Sequence, residues 1–304
     1  MGILTFKENS MPADNRSALN TDRYYHRISK VLDYIDQNLN EPLSLKRLSE
    51  VAHFSPYHFH RQFSALSGMS LGRYIQLMRL KRASYRLVFN LNEKVIDIAL
   101  DAGFQHAESF SRAFKQWFKV TPSEFRQQPM WIDWHQRTHQ PQLKWRENMS
   151  VEIIDFPATK VAMLVHRGDP LCINETAAEF VTWRKETGLS PVHLSQTFGV
   201  APNDPTSTSP DDFEFRICGS ITSAIDENNM FGVVNSVIPS GRCAMLRHQG
   251  SHNALTELAK SLYRDWLPAS GEELRDFPLY FHYHNFVHEV AEHELVTDIY
   301  LPLK

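Results

Sequence analysis

The sequence contains few cysteines and no long apolar run. Its 304 residues include three cysteines, Cys172, Cys218 and Cys243, an odd number without C-x-x-C spacing. This usage argues against a disulfide framework or a zinc motif, and it favours a reducing compartment. No apolar run approaches the roughly 18 residues of a membrane-spanning helix, and no secretory signal opens the chain. We therefore expect a cytoplasmic protein that has no membrane partner.

Three common enzyme signatures are also missing. The chain has no P-loop, no dinucleotide-binding glycine pattern and no H-E-x-x-H motif, so we expect no catalytic residue and no cofactor. Four histidines, at positions 53, 58, 60 and 106, invite a metal interpretation. His58 and His60 lie two apart on a predicted helix and point in different directions, and no cysteine joins them, so we expect no metal site here.

Charge is distributed unevenly along the chain. Residues 23–128 contain 16 Lys and Arg against 9 Asp and Glu, whereas residues 129–304 contain 14 against 23. A basic half joined to an acidic half indicates a polyanionic partner for the first half only.

The stretch over residues 100–126 has the pattern of a helix-turn-helix unit. Asp101-Ala102-Gly103-Phe104 predicts a tight break between two short helices, with Gly103 in the left-handed conformation. The second helix, over about 107–119, leaves small, polar and cationic residues on its outer face, as a reader of the DNA major groove requires. Its buried face would consist of Phe110, Phe114 and Phe118, spaced four residues apart.

A second copy of this pattern lies upstream. Residues 45–54 match 95–104 at an offset of fifty, and 59–63 match 110–114 at fifty-one. With both units, residues 24–126 resemble the DNA-binding domain of AraC/XylS transcriptional regulators. The resemblance is carried by the run from Ile98 to Phe104, by Phe110-Ser-Arg-Ala-Phe-Lys115, and by Phe118 with Thr121-Pro-Ser-Glu-Phe-Arg126.

The resemblance implies that two helices, over 56–67 and 107–119, read double-stranded DNA. A helix from Ser70 to about Phe89, roughly 30 Å long, would hold them about one DNA turn apart. Its basic residues Arg73, Arg79, Lys81, Arg82 and Arg86 are expected mostly at the surface. The family's base-contacting positions correspond to Tyr57, His60 and Arg61 in the first unit, and to Ala107, Glu108, Ser109, Ser111 and Arg112 in the second. The alternative for Arg61 and Arg112 is that each forms a salt bridge at the surface of its unit and does not contact DNA.

The second half of the chain contains its own repeat. Residues 162–168 match 244–250 at an offset of eighty-two, and Trp183 and Phe198 match Trp266 and Phe281 at eighty-three. Each copy predicts a strand, a glycine turn, a helix and two further strands. The predicted helices cover about 174–187 and 253–267, and the later strands cover about 197–200, 213–217, 279–283 and 295–301.

This pattern over about 150–304 resembles the gyrase-inhibitor-like effector-binding domain. The resemblance implies a cleft between two half-domains for lipophilic or cationic small molecules, lined by aromatic residues and often one acid. That acid corresponds to Asp298, where glutamate is usual, and Glu214 stands near the equivalent place in the first copy. A carboxylate and ring faces together would hold a cation. The candidate aromatic residues are Trp183, Phe281, Tyr283 and Tyr300, although Trp183 and Phe281 also suit a plain core and Asp298 an exposed strand.

These observations predict a multidomain protein. An all-α double helix-turn-helix domain would precede an α+β domain of two pseudo-repeated strand-helix-strand-strand units. The expected segments are a flexible tail over 1–22, an AraC-type DNA-binding domain over 23–128, a Trp-rich linker over 129–149 and a GyrI-like domain over 150–304. In the linker, Trp131, Trp134 and Trp145 would either dock onto a domain or stack on a ligand.

The expected function is sequence-specific transcription regulation under the control of a small-molecule effector. The expected partners are double-stranded DNA, the effector and RNA polymerase, and a monomer is preferred over a dimer because one chain carries two reading helices. One alternative is a constitutive DNA binder whose second domain recruits a protein. The other is a small-molecule hydrolase fused to a DNA-binding module.

Overall fold

A computed structural model describes residues 27–138 and 150–304 of the chain. The predicted tail over 1–22 and Trp145 lie outside the described residues. The chain divides into two compact units, residues 1–75 and 76–304, which are described separately. Among the described residues, no helix is both long enough and apolar enough to cross a membrane.

The first unit contains the first helix-turn-helix. Helix α1 covers residues 27–37 of the described chain, α2 is Leu45–Val51 and α3 is Pro56–Ser67. Ser44 and Ser55 cap α2 and α3 by accepting backbone N–H bonds, and Pro56 occupies the first turn of α3. The core of this unit contains Ile28, Val31, Ile35, Leu48, Phe59 and Phe63, all at most 1% exposed.

Helix α4, Leu71–Phe89, leads into the second helix-turn-helix. Helices α5, Val95–Asp101, and α6, Ala107–Phe118, are separated by Gly103, whose φ of +77° confirms the predicted left-handed turn. Helix α7, Pro122–Gln127, begins with a capping box between Thr121 and Glu124. The phenylalanines predicted for the buried face of α6, Phe110, Phe114 and Phe118, are at most 2% exposed.

The predicted Trp-rich linker contains a further helix. Helix α8, Trp131–Thr138, buries both of its tryptophans, which are at most 2% exposed. Trp131 packs edge-on against Phe125 of α7, and Trp134 packs edge-on against Tyr85 of α4. These two tryptophans therefore dock onto the helices that precede them.

The second half of the chain forms one eight-stranded antiparallel sheet with the order β1-β6-β8-β7-β3-β4-β2-β5. Each copy of the repeat contains two strands before its helix, where the sequence predicted one. The additional strands, β1 and β5, lie at the two ends of the sheet, and each pairs with the other copy: β1 with β6, and β5 with β2. The strands are β1 Val151–Phe156, β2 Thr159–Arg167, β3 Thr197–Ala201, β4 Glu214–Ser220, β5 Val234–Ile238, β6 Gly241–Gln249, β7 Leu279–Tyr283 and β8 Val296–Pro302.

Both helices of the repeat cover the same face of the sheet, which we call the helix face. Helix α9, Ile173–Thr187, packs Phe180 and Trp183 against β2 and β4. Helix α10, Leu255–Ser261, continues through a π-helical segment to α11, Leu267–Ser270, and packs against β6, β7 and β8. The opposite face, which we call the open face, carries a second core cluster that includes Phe156, Phe198, Tyr280 and Tyr300.

Candidate DNA-reading helices and ligand-binding face

Helix α3 presents the polar residues predicted for DNA contact. Tyr57 is 66% exposed, and His60 and Arg61 are also exposed, whereas Phe59 and Phe63 on the opposite side are fully buried. The Nη1 atom of Arg61 donates a 2.9 Å hydrogen bond to the Tyr57 hydroxyl one helical turn earlier. The guanidinium also lies 5.7 Å from the Tyr57 ring centroid. These contacts hold the two side chains together on the exposed side of α3.

Helix α6 has the same division into a buried and a polar side. Glu108 and Arg112 are exposed, and Ala107, Ser109 and Ser111 are half-buried. The Nη2 atom of Arg112 lies 3.5 Å from the Ser109 hydroxyl oxygen. Within the described residues, neither Arg61 nor Arg112 forms a salt bridge, so both guanidiniums keep hydrogen-bonding capacity for a DNA base or phosphate.

A serine between Gly68 and Gly72 matches the G-x-S-x-G pattern of hydrolase nucleophile elbows. Such an elbow requires a strand before the serine and a helix after it. Here the segment joins α3 to α4, and Gly68 ends α3 with a φ of +71°. Ser70 therefore lacks the backbone setting of a catalytic serine.

On the open face, a row of polar residues crosses the neighbouring strands β6, β8 and β7. The strand register aligns Arg247 of β6 with Asp298 of β8, and Asp298 with His282 of β7. Asp298 is 2% exposed and accepts bonds of 2.7 and 2.8 Å from Nε and Nη2 of Arg247. His284, just after β7, places its Nε2 atom 2.7 Å from Oδ2 of Asp298. The predicted acid is therefore a buried, fully paired carboxylate rather than an exposed strand residue.

The neighbours of Asp298 determine its charge. Burial alone would raise its pKa, but the hydrogen bonds and charges of Arg247 and His284 outweigh burial and hold the pKa below its usual value. Burial lowers the pKa of His282 to about 4, and the adjacent His284 acts in the same direction. At neutral pH the site thus holds an ionised Asp298 beside a neutral His282.

Aromatic rings border this polar row. Tyr300, two residues along β8, stacks on Tyr280 with ring centroids 5.0 Å apart, and its hydroxyl lies 3.4 Å from Oδ2 of Asp298. On the other side, the ring of Phe198 lies 4.7 Å from that of His282. A carboxylate flanked by rings on one sheet face is an arrangement that can bind a cationic aromatic molecule.

The structure brings only part of the predicted effector set together. Tyr300 shares the open face with Asp298, whereas Trp183, Phe281 and Tyr283 pack into the helix-face clusters. Glu214 lies on β4, three strands from Asp298, and is ion-paired with Arg167 and Arg216. Sequence reasoning missed three residues that surround Asp298: Arg247, His282 and His284. The spacing of the two histidines, His282 in β7 and His284 just after it, was a signal that both side chains lie on one face of the sheet.

Within the second unit, α4 contacts the loop that joins β7 to β8. Lys81 of α4 was predicted at the surface but is 4% exposed, and its Nζ lies 2.5 Å from Oε1 of Glu292 in this loop. Near the end of α4, the ring of Phe89 stacks on His288 with centroids 5.3 Å apart. An ion pair between buried Lys81 and half-buried Glu292, together with a ring stack, therefore attaches α4 to the loop that follows His284.

Comparisons with known proteins agree with both halves of the structure. Residues 149–304 match the family described as GyrI-like small molecule binding domain, and residues 48–128 match a helix-turn-helix domain family. The chain is 49% identical over 155 residues to the probable transcriptional regulator YgiV of Escherichia coli K12, covering 51% of the chain and 96% of that protein.

Two longer alignments span both halves of the chain. The right origin-binding protein of Escherichia coli K12 is 25% identical over 256 residues, covering 79% of the chain and 84% of that protein. A cryo-EM structure of an EcmrR–DNA complex in EcmrR-RPo aligns over 84% of both chains with 12% identity and a TM-score of 0.44.

The two helix-turn-helix units, the match to a helix-turn-helix domain family and the curated relatives define a DNA-binding transcription regulator of the AraC type. Since the matching residues 149–304 make up more than half of its length, the chain belongs to the family of proteins with a GyrI-like small molecule binding domain.

Replacement of Lys81 by Met should strongly destabilise the chain. The change leaves the Glu292 carboxylate, whose side chain is 23% exposed, without its ionic partner. A broken, fully buried pair typically costs about 3–5 kcal/mol, and we expect a loss at or below the lower end of this range because water and the Ser251 hydroxyl still reach Glu292. Urea denaturation of the full chain measures the loss. A Lys81→Met/Glu292→Leu double variant serves as the matched control, because removal of both charges should recover much of the lost stability. Equal losses in the single and double variants would show that the ion pair itself is not the cause.

Acidification should weaken the same contact through His288. Burial lowers the pKa of His288 to about 4, with Lys185 acting in the same direction, against about 6.5 in the unfolded chain. The unfolded state therefore takes up the proton first, so this stability is complete above about pH 6.5 and is lost as the pH falls towards 4.

A His288→Phe variant isolates this effect, because phenylalanine can keep the stack on Phe89 but cannot titrate. The free energy of unfolding of the wild type should fall more steeply between pH 6.5 and 4, by up to roughly 1.4 kcal/mol per pH unit. Denaturation curves at several pH values compare the two proteins. Parallel pH profiles would contradict the assignment of this proton to His288.

Proposed function

We propose that the protein reads specific DNA sequences through α3 and α6, and that a lipophilic or cationic small molecule bound on the open face controls this activity. The main support for effector binding on the open face is Asp298, a buried and ionised carboxylate that is bordered by aromatic rings. A DNA-binding regulator of this kind would act in the cytoplasm, where bacterial DNA lies.

The DNA contacts we propose follow from the chemistry of the exposed side chains. Arginine matches the paired acceptors O6 and N7 of guanine, which makes Arg61 and Arg112 candidates for guanine contacts. Glu108 can accept a hydrogen bond from the amino group of cytosine, and Ala107 can meet the methyl group of thymine. The remaining proposed contacts, to bases or phosphates, are Tyr57, His60, Ser109 and Ser111.

The effector contacts we propose centre on Asp298 and Tyr300. Because Arg247 occupies both carboxylate oxygens, a cationic effector must compete with this guanidinium for Asp298. The Arg247 side chain is 60% exposed, so it can turn towards solvent at modest cost. The ring of Tyr300, next to Asp298 on β8, would then contact the apolar part of the effector.

The β7–β8 loop provides a physical route from the effector to the DNA-binding helices. His284 begins this loop beside Asp298, and Glu292 within it binds Lys81 of α4. An effector that displaces His284 would change the loop conformation, and thereby the contact with α4. Regulation requires that the effector bind the two resulting states with different affinity.

Two further proposals concern partners. We infer that the chain acts as a monomer, since one chain supplies both reading helices. A regulator that activates transcription would also contact RNA polymerase. A constitutive DNA binder whose second domain recruits a protein remains the alternative, and it would bind no small molecule on the open face.

Replacement of Arg112 by Ala should weaken binding to the cognate site by about 1–3 kcal/mol and relax the preference for one base pair. The reason is loss of a two-point contact with guanine. Affinity selection of random duplexes followed by sequencing measures both effects. Lys115→Ala, one turn further along α6, is the matched control and should lower affinity without changing the preferred sequence. Equal losses on cognate and random duplexes would make Arg112 a phosphate contact.

A panel of aromatic quaternary ammonium compounds should raise the melting temperature of the chain. At 100 times the dissociation constant, a ligand that binds only the folded state stabilises it by about 2.7 kcal/mol. Asp298→Asn should abolish the shift, and Glu214→Gln, which changes the other candidate acid, should retain it. A shift that depends on Glu214 alone would move the site to the first copy. Absence of any shift would favour the recruitment alternative.

A further inference from the structure

We propose that His282, His284 and Asp298 form a binding site for one divalent transition metal ion of the zinc class. The proposal goes beyond the effector function and does not depend on it, because the site requires no organic ligand and no DNA. It also departs from our expectation that the chain has no metal site.

The geometry brings three metal-binding atoms together. One ring nitrogen from each histidine and one carboxylate oxygen of Asp298 all lie within 4.8 Å of one another. His282 and His284 are two residues apart at the end of β7, where alternate residues share a face, and Asp298 lies directly opposite His282 on β8. The two imidazole centroids are 4.1 Å apart. A small displacement of His284 from Asp298 would therefore allow one ion to reach all three groups.

The environment of His282 indicates that this site binds a ligand. It is 8% exposed, and within the described residues neither of its ring nitrogens makes a hydrogen bond. Both ring nitrogens keep a small solvent-accessible area, since neither is among the buried side-chain atoms without a partner. A metal ion at the three-residue site could therefore reach a ring nitrogen that no protein group occupies, and neutral imidazole offers it a lone pair.

Arg247 has two opposite effects on such a site. Its Nε atom holds Oδ1 of Asp298, which leaves Oδ2 for a metal ion and fixes the plane of the carboxylate. Its positive charge also repels a cation, and its Nη2 atom occupies Oδ2 until it is displaced. Removal of the Arg247 charge should therefore strengthen metal binding, whereas removal of any of the three ligands should weaken it.

The donor set selects the class of ion. Two imidazoles and one carboxylate suit Zn²⁺, Co²⁺, Ni²⁺ and Cu²⁺, whereas Mg²⁺ and Ca²⁺ prefer oxygen ligands alone. Three protein ligands leave a fourth tetrahedral position open. The side chain of His284 is 34% exposed, so an ion can reach the site from solvent.

Cobalt titration of the full chain without a polyhistidine tag tests the proposal. We expect visible absorption bands typical of Co²⁺ bound to nitrogen and oxygen ligands, saturating at one ion per chain and displaced by Zn²⁺. His282→Ala, His284→Gln and Asp298→Asn should each weaken binding about tenfold or more. Arg247→Gln should strengthen it.

The matched control is the His58→Ala/His60→Ala double variant, which removes two exposed histidines of α3 and should leave the titration unchanged. Circular dichroism establishes that each variant is folded, and His284→Gln, at the most exposed of the three ligands, serves if another variant fails to fold. Loss of the bands in the α3 variant, or their persistence in both histidine ligand variants, would overturn the assignment.

The cobalt titration tests the metal site independently of the proposed effector function. If Co²⁺ does not bind but aromatic cations still raise the melting temperature in an Asp298-dependent manner, only the metal site is wrong. If Co²⁺ binds with the expected variant pattern and no aromatic cation does, the metal site stands and the effector proposal fails.

Discussion

Burial of the Asp298 carboxylate is possible only because opposite charges and hydrogen-bond donors surround it. An unpaired carboxylate in the middle of a sheet would carry a large desolvation cost. Arg247 and His284 offset that cost here, and the strand register brings Arg247 into position from β6. The open face is consequently organised around one negative charge, and a molecule that binds there must accept or replace the partners of that charge.

A second charge, the half-buried carboxylate of Glu292, lies at the other end of the same loop. Burial would raise the pKa of Glu292, but Lys81 and the Ser251 hydroxyl outweigh this effect and keep the pKa below its usual value. The β7–β8 loop is thus held at both ends by charged contacts, to Asp298 through His284 and to α4 through Glu292. Because broken buried ion pairs are costly, the loop has few low-energy arrangements, and an effector would select among them.

Local sequence predicts the elements of this chain better than the faces of its sheet. The serine and threonine caps fixed the starts of α2, α3 and α7, because capping is a local interaction. Strands β1 and β5 were missed because they lie at the sheet ends, and only one residue in each is fully buried. In β7 both sides are buried, so alternation alone could not assign Phe281 and Tyr283 to the helix face and His282 to the open face. The burial of Lys81 also depended on a partner more than two hundred residues away.

The exchange of β1 and β5 between the two copies affects how this domain can form during synthesis. The first copy obtains its edge strand from residues 234–238, which emerge from the ribosome after β4, and β1 has no partner until β6 follows. Neither copy can complete its hydrogen-bonded ladder alone. The pairings of β1 with β6 and of β2 with β5 therefore join distant parts of the chain, which favours slow, cooperative folding late in translation. Until then, the edges of β1 and β2 are unpaired, and unpaired strand edges favour aggregation.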